Sequence, residues 1–265
     1  MLSAEELEAR RTALEAELGE PITVDGLTAT YRIFQRKKGH RHSTDDLLTG
    51  WYALEKTTAD PPLRTLDLGT GIGTVGLLVL SGLPEAARLT CVEAQDISYR
   101  FLQENLRANG VEGRVDARHG DLRELALGER FPLVTGSPPY FDVASGIVPS
   151  DSQKAHARFE LRGDVRDYAR AAKLHLEEHG LFVFCFPWPQ KARALAAARA
   201  EGFTVTSQRD VVPREGLAPL FSLFACRLDG GSEAIEPPFI VRHALGGHTQ
   251  AMHDVRARFG WPPSR

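Results

Sequence analysis

From Leu63 to Leu228 short apolar runs and helix-forming stretches take turns along the chain, and that alternation constrains the fold more than any other feature. The runs "LRTLDL", "RLTCVEA", "GRVDARHG", "FPLVTG" and "GLFVFCF" have strand character. Between and after them lie the helical stretches "GTVGLLVLSG", "ISYRFLQENLRANG", "VRDYARAAKLHLEE" and "PQKARALAAARAEG". Strands separated by helices return to the same sheet through crossovers, so this order predicts helices on both faces of a mostly parallel sheet. The last two strands, "FTVTSQRDVV" and "LFSLFACRL", are joined only by "PREGLAP" and are expected as an antiparallel pair at one end. The expected fold class is α/β: a doubly wound, mostly parallel, Rossmann-like sheet of seven strands.

Ahead of this core, Ser3 and Glu6 form a capping box for the helix "AEELEARRTALEAELG", which Gly19 closes. "ITVDGLTATYRIF" reads as a hairpin turning at Asp25-Gly26, and "STDDLLTGWYALEK" as a second capped helix. "DGGSEAIEPP" reads as a link to a C-terminal tail. The expected division is an N-terminal helix, hairpin and pre-core helix over 1–60, a core over 61–230, and a tail packing on that core over 231–265.

A composition of 42% hydrophobic and 25% charged residues is that of a soluble globular protein. The most apolar stretch, "LFVFCFPWP", is too short and too proline-broken to span a bilayer, and "MLSAEELEARR" lacks the apolar core of a signal peptide. Cys91, Cys185 and Cys226 sit in strand-like runs without metal-ligand spacing, as reduced core residues of a cytoplasmic protein do. His243, His248 and His253 recur at five-residue intervals and share no helix face, so no metal is expected. A net charge of −3 argues against a chain-wide nucleic-acid surface but not against a local one. Gly26 to Thr44 contains no acid, while Arg32, Arg36, Lys37, Lys38 and Arg41 are basic, which makes Arg36, Lys37 and Lys38 candidates for substrate contact. A merely solvated loop is the alternative.

"TLDLGTGIGTVG" follows the first core strand, and Gly69, Gly71 and Gly73 let the backbone come close to a ligand at the strand ends. Gly71, Gly73 and Gly76 also satisfy the dinucleotide pattern G-x-G-x-x-G. The acids tilt the reading towards S-adenosyl-L-methionine. Asp67 lies inside the strand before the glycines, where a buried carboxylate suits a cationic ligand and disfavours a pyrophosphate. Glu93 ends the second strand, placed to accept both hydroxyls of a ribose, and Asp121, with Leu122 beside it, follows the third, placed to accept from an adenine amine.

The fourth strand runs into Ser137-Pro138-Pro139-Tyr140. Two prolines remove two backbone donors and stiffen the loop, leaving carbonyls and the Ser137 hydroxyl to accept from something else. In a sheet of this order the loop falls beside the glycine turn. An exocyclic amine of adenine or cytosine is a poor nucleophile because its lone pair is delocalised into the ring. Acceptors for both of its hydrogens favour a pyramidal nitrogen aimed at a methyl carbon. Tyr140 offers a flat face for a base splayed from its stack.

This combination resembles the Asn/Asp/Ser-Pro-Pro-Tyr amino-methyltransferases of the class I S-adenosylmethionine fold, and within them the bacterial valine-tRNA adenine-37 N6-methyltransferase group. The support includes "YRIFQRKKGHRHSTDDLLTGWYA", "DSQKAHARFELRGDVRDYARAAKLHLEEHGLFVFCFP" and "PFIVRHALGGHTQAMHDV". The resemblance implies methyl transfer from S-adenosyl-L-methionine to N6 of adenine in tRNA, with Ser137, Pro138, Pro139 and Tyr140 as the catalytic loop. It also implies that Gln35, Arg41, Ser43 and Asp45 lie beside the cofactor, with His40 where an aromatic residue is common. Where the group normally has Asn, this chain has Ser137, whose single oxygen sits on a shorter arm; reduced activity or a shifted target base are the alternatives this raises. Three other readings are a protein-glutamine N5-methyltransferase, a nicotinamide-dependent oxidoreductase using Gly71, Gly73 and Gly76, and a cofactor-binding module without catalysis.

Overall fold

The structure is a computed structural model and describes residues 1–39, 41–140, 153, 160–161 and 163–262. Helix α1 (Ala4–Leu18) begins where the Ser3 hydroxyl accepts from the Glu6 amide at 3.2 Å and the Glu6 carboxylate accepts from the Ser3 amide at 2.7 Å. It ends at Gly19, whose φ of 68° is the left-handed conformation that glycine adopts without strain. Strands β1 (Ile22–Gly26) and β2 (Arg32–Arg36) pair antiparallel. Their turn spans 27–31, beyond the expected Asp25-Gly26, because both of those residues are paired within the hairpin. Gly26 has a distant reason to be glycine: a Cβ there would lie 2.6 Å from the Trp261 ring.

Helix α2 (Thr44–Lys56) leads into the core. There β3 (Arg64–Leu68), α3 (Thr74–Gly82), β4 (Arg88–Glu93), α4 (Asp96–Asn109), β5 (Val115–His119) and β6 (Phe131–Gly136) follow in turn. Helix α5 (Val165–His175), β7 (Leu176–Pro187), α6 (Lys191–Ala200), β8 (Thr204–Val212) and β9 (Phe221–Arg227) complete the set. Helix α5 stops earlier than its sequence pattern implies. Leu176 is fully buried and pairs with Phe131, so sheet pairing claims the "LEE" that helix propensity would have kept.

Among the described residues the sheet runs β8-β9-β7-β6-β3-β4-β5, parallel throughout except for β9, which is antiparallel to both neighbours. These are the seven expected strands. Two short ones from the tail, β10 (Ala234–Ile235) and β11 (Phe239–Ile240), add in parallel along the outer side of β8. The period-2 alternation is plain in β7, where Leu181, Val183 and Cys185 join one apolar layer and Phe182, Phe184 and Phe186 the other. The tail is held by Glu236, which accepts from Lys56 at 2.5 Å, from Tyr52 at 2.8 Å and from Ser207. Helix α7 (Gln250–Arg258) buries Met252 and Val255 in the first layer. No helix among the described residues is long and apolar enough to cross a membrane.

Side-chain amides dock the hairpin. Asn105 and Asn109 of α4 accept from the Phe34 and Arg32 amides at 2.7 and 2.8 Å and donate back to the carbonyls of the same residues. The α1 helix is tied by Glu104 of α4, only 1% exposed, which accepts from Arg10 at 2.6 and 2.7 Å and also from Arg100. Burial raises the Glu104 pKa, but the two guanidiniums outweigh it and bring it to about 2. A depressed carboxylate pKa stabilises the fold above its unfolded value of about 4.3, and that contribution is lost as pH falls towards the folded value. Glu104→Gln is expected to cost about 2 kcal/mol at neutral pH, with the deficit shrinking as pH falls from about 4 towards 2; urea unfolding at several pH values measures it.

Candidate active site

Strands β3 and β6 are neighbours, yet their following connections leave in opposite directions, so the sheet has its topological switch point between them. Leu68 pairs with Gly136 at their carboxyl ends, which sets the glycine turn after Leu68 beside the Ser-Pro-Pro-Tyr loop after Gly136. A cavity of about 400 Å³ opens there. Of the residues singled out from sequence, Ser43, Asp45, Asp67, Gly69, Gly71, Ser137, Pro138, Pro139 and Tyr140 line it.

Asp67 is only 1% exposed. One oxygen accepts from the Thr70 hydroxyl at 2.5 Å and the Gly76 amide at 3.0 Å, the other from the Thr135 hydroxyl at 2.7 Å. Burial raises its pKa against the pull of these donors. The carboxylate therefore knots the turn to α3 and β6 while forming part of the cavity wall. Gly69 and Gly71 both have φ near +60°, and a Cβ on Gly69 would lie 2.0 Å from the Tyr168 hydroxyl. A Cβ on Gly71 would meet no atom within 4 Å, so this glycine serves the shape of the backbone and leaves the cavity open. Gly73 faces away, against Leu102 of α4.

Glu93 stands behind the turn and outside the cavity wall, its two oxygens accepting from the Gly71 and Gln95 amides at 2.8 and 2.7 Å. Asp121 is also outside the wall and forms a two-pronged ion pair with Arg123 at 2.6 and 2.9 Å, while Leu122 is buried in the second apolar layer. Gln35 and Arg41 lie away from the cavity too. Both donate to Asp25, at 2.8 and 3.1 Å, and the His42 amide donates to Gln35 at 3.1 Å. These bonds brace the connector into α2. In the basic run, Arg32 caps the carbonyls of its own turn, and Arg36 donates to Glu20 at 2.5 Å. Lys37 and Lys38 are exposed, and His40 lies outside the described residues.

Tyr140 is held at three points. Its hydroxyl donates to Asp45 at 2.5 Å and lies 3.4 Å from the Cys185 sulfur; its carbonyl accepts from Gln190 at 2.6 Å; its ring meets Phe186 edge-on at 6.0 Å. Burial raises the pKa of the phenol, and Cys185 and Asp45 push it further. The Ser137 hydroxyl lies 3.5 Å from the same sulfur. Burial raises the Cys185 thiol to about 12, so it stays neutral beneath the loop.

Sequence reading missed several lining residues, among them His42, Asp46, Gln95 and Tyr168. Tyr168 of α5 wedges between the two loops, since a Cβ on Gly136 would also strike its ring at 2.9 Å. Its only sequence signal is a place on the apolar face of an amphipathic helix. Asp46 is buried, its pKa raised by that burial and then by Asp45, while burial lowers His42. Among the described residues no Lys or Arg lines the cavity, so its fixed charge is acidic. Among the described residues the buried Gln95 Oε1 has no hydrogen-bond partner, which leaves it as an acceptor for a donor in the cavity.

Residues 43–150 match the family described as the methyltransferase small domain. A protein of Actinobacillus pleuropneumoniae serotype 7 named tRNA1(Val) (adenine(37)-N6)-methyltransferase is 28% identical over 157 residues, covering 58% of this chain and 64% of that protein. A Porphyromonas gingivalis protein of the same name is 30% identical over 125 residues, covering 45% and 48%. The chain thus matches less than two thirds of either relative's length. Among solved structures, a predicted O-methyltransferase of Agrobacterium tumefaciens aligns with TM-score 0.64 at 20% identity, covering 83% of this chain and 98% of that one. A putative RNA methyltransferase of Pyrococcus horikoshii aligns with TM-score 0.51 at 19% identity, covering 72% and 87%. Residues 43–150 are thus similar to the methyltransferase small domain, and the chain has the α/β fold of the solved methyltransferase structures with which it aligns.

Proposed function

We propose that the chain is an S-adenosyl-L-methionine-dependent methyltransferase acting on N6 of an adenine in tRNA, in the cytoplasm. The observation that carries this reading is that the glycine turn and the Ser-Pro-Pro-Tyr loop line one acidic cavity. The residues present fit the cofactor. Asp45, Asp46 and Asp67 favour a ligand bearing an ammonium and a sulfonium, Gly71 leaves room beside the turn, and the Gln95 oxygen, unpartnered among the described residues, is placed to accept from a donor. Glu93 and Asp121 remain the proposed acceptors for ribose and adenine, from behind the turn and after β5.

The cofactor supplies a methyl group on a positively charged sulfur. The protein's part is to make a weak nucleophile reach it. The Ser137 hydroxyl and the carbonyls of the proline pair accept the amine hydrogens, which turns the nitrogen lone pair outward. Ser137 needs no Asn-length arm if the loop itself sits close, and Cys185, Asp45 and Gln190 fix that loop from below and from the side. No base of unusual pKa is required, because the proton leaves after the carbon–nitrogen bond has formed. The tRNA-directed names of the relatives support the substrate class, and no observation favours a protein glutamine.

Mass spectrometry of tRNA nucleosides from cells with and without the gene tests the reading: loss of N6-methyladenosine at one position is expected, and an unchanged nucleoside profile overturns it. The basic run supplies a separate prediction. Exposed Lys37 and Lys38 are proposed to meet phosphates, so reversing both charges should weaken tRNA binding and flatten its salt dependence by about one to two units of logarithmic slope. Filter binding across a salt series measures it, and an unaltered slope removes these lysines from the interface.

A further inference from the structure

The tail brings a group of cationic side chains back to the edge of the sheet that holds the cavity. Strand β11 runs parallel to β8, and β8 parallel to β7 and β6, so the chain beyond Ile240 emerges at the same carboxyl edge as the glycine turn and the Ser-Pro-Pro-Tyr loop. There Arg242 pairs with His248 in an isolated antiparallel bridge, closed by a turn in which Gly246 and Gly247 both have positive φ. The His248 ring meets that of His253 edge-on at 5.7 Å, and Arg256, one turn further along α7, lays its guanidinium over Trp261 at 5.5 Å. Burial, and then the charges of Arg242, Arg256 and His253, hold His248 below its ordinary pKa, so the four side chains lie in one electrostatic neighbourhood.

Among the described residues neither arginine forms an ion pair, and the Arg256 Nε and the His253 Nδ1 are buried without a hydrogen-bond partner. The neighbouring acids are engaged elsewhere: Glu215 accepts from the Ala244 amide at 3.2 Å and lies 3.9 Å from His243, and Asp254 accepts from Gln250 at 2.8 Å. Two guanidiniums and two imidazoles gathered in this way repel one another, and an anion among them relieves the repulsion. A guanidinium presents its donors in a planar fork that matches a phosphate.

We propose that Arg242 and Arg256, with His248 and His253 beside them, hold a backbone phosphate of the RNA at a distance along the strand from the methylated base. The inference rests on the tRNA reading of the cavity. Its reach follows from the sheet, in which β11 stands four strand spacings from β6, about 19 Å at about 4.8 Å each. A stacked strand rising about 3.4 Å per nucleotide covers that gap in about six nucleotides. The contact therefore falls beyond the target's immediate neighbours and positions the strand without reading its sequence.

The test uses the full chain with Arg242→Gln and with Arg242→Gln/Arg256→Gln. Arg88→Gln, at the start of β4 and so at the opposite edge of the sheet, makes an equal change of charge elsewhere. Arg242 is exposed, so its replacement leaves the packing intact. Filter binding on tRNA transcript across a salt series should show the logarithmic slope falling by about one unit in the double variant, the loss of one phosphate contact, and by part of that in the single. The KM for tRNA should rise about threefold in the single variant and about tenfold in the double, with kcat and S-adenosyl-L-methionine affinity unchanged. Arg242→Lys should restore most of the slope. On a five-nucleotide RNA centred on the target adenine, too short to span the gap, the variants should match the wild type. Unchanged slope and KM on tRNA overturn the inference. So does a raised KM with an unchanged slope, which assigns the cluster to an uncharged group. An equal effect of Arg88→Gln assigns the result to the overall charge of the surface, and a loss on the short RNA places the cluster at the target itself; either overturns it as well. A wild-type protein that binds the cofactor yet methylates no tRNA overturns the underlying reading instead.

Discussion

An Asp67→Ala protein is expected to lose measurable S-adenosyl-L-methionine binding and to melt roughly 10 °C below the wild type. The size of the effect follows from what the carboxylate holds. Removing it strands the Thr70 and Thr135 hydroxyls and the Gly76 amide in a site that water hardly reaches. Each buried donor left without an acceptor costs about 1–3 kcal/mol, and both ends of the glycine turn are released together. Asp67→Asn keeps one acceptor but sets an amide N–H₂ against existing donors, so it should fall between the two. Because burial raises the folded pKa of Asp67, its ionised form costs stability once pH rises through that pKa. A cationic ligand in the cavity relieves this cost, so the stabilisation conferred by the cofactor should grow as pH rises through the same range. Calorimetry with the cofactor and thermal melts at two pH values measure both effects; unaltered affinity in Asp67→Ala contradicts the cofactor assignment.

The second large effect is on rate. Tyr140→Ala should lower methyl transfer at saturating substrates by about a hundredfold with cofactor affinity preserved, since a displacement of about 1 Å at a reacting centre costs that much. The ring is the peg of the proposed catalytic loop, touching both apolar layers, while its hydroxyl and carbonyl are tied to Asp45 and Gln190. Tyr140→Phe removes only the hydroxyl and leaves Asp45 without that partner, so a loss of about tenfold is expected, in line with one charge-assisted hydrogen bond. Single-turnover rates rank the three proteins. A parallel loss of cofactor binding moves Tyr140 from the substrate side of the cavity to the cofactor side, and a wild-type rate in Tyr140→Ala removes it from the mechanism.

The alternation of apolar runs made the core sheet legible, because crossover geometry leaves few ways to arrange such a string. The neighbourhood of the glycine turn and the proline loop was legible for the same reason, since it follows from strand order. Long-range packing was not legible. Asp25-Gly26 carries the local chemistry of a tight turn, but Trp261 closes over Gly26, and Asp25 serves as acceptor for Thr23, Gln35 and Arg41. Gln35 and Arg41 were expected beside the cofactor; their partners in the hairpin could be found only in three dimensions. Glu93 occupies the strand end that its spacing implied, yet what the structure adds is its role as a brace for the Gly71 amide. Tyr168 and Asp46 escaped notice because an aromatic on a helix face and an acid in a first helical turn are ordinary features. They gain meaning only where the loops converge on them.

The two short tail strands lie along β8, an outermost strand that would otherwise present bare amides and carbonyls. During synthesis every principal strand has been made by Arg227, but that flank stays uncovered until translation has passed Ile240. A chain stalled in between exposes the edge of β8 in addition to that of β5, and an open strand edge is a template on which another chain can pair.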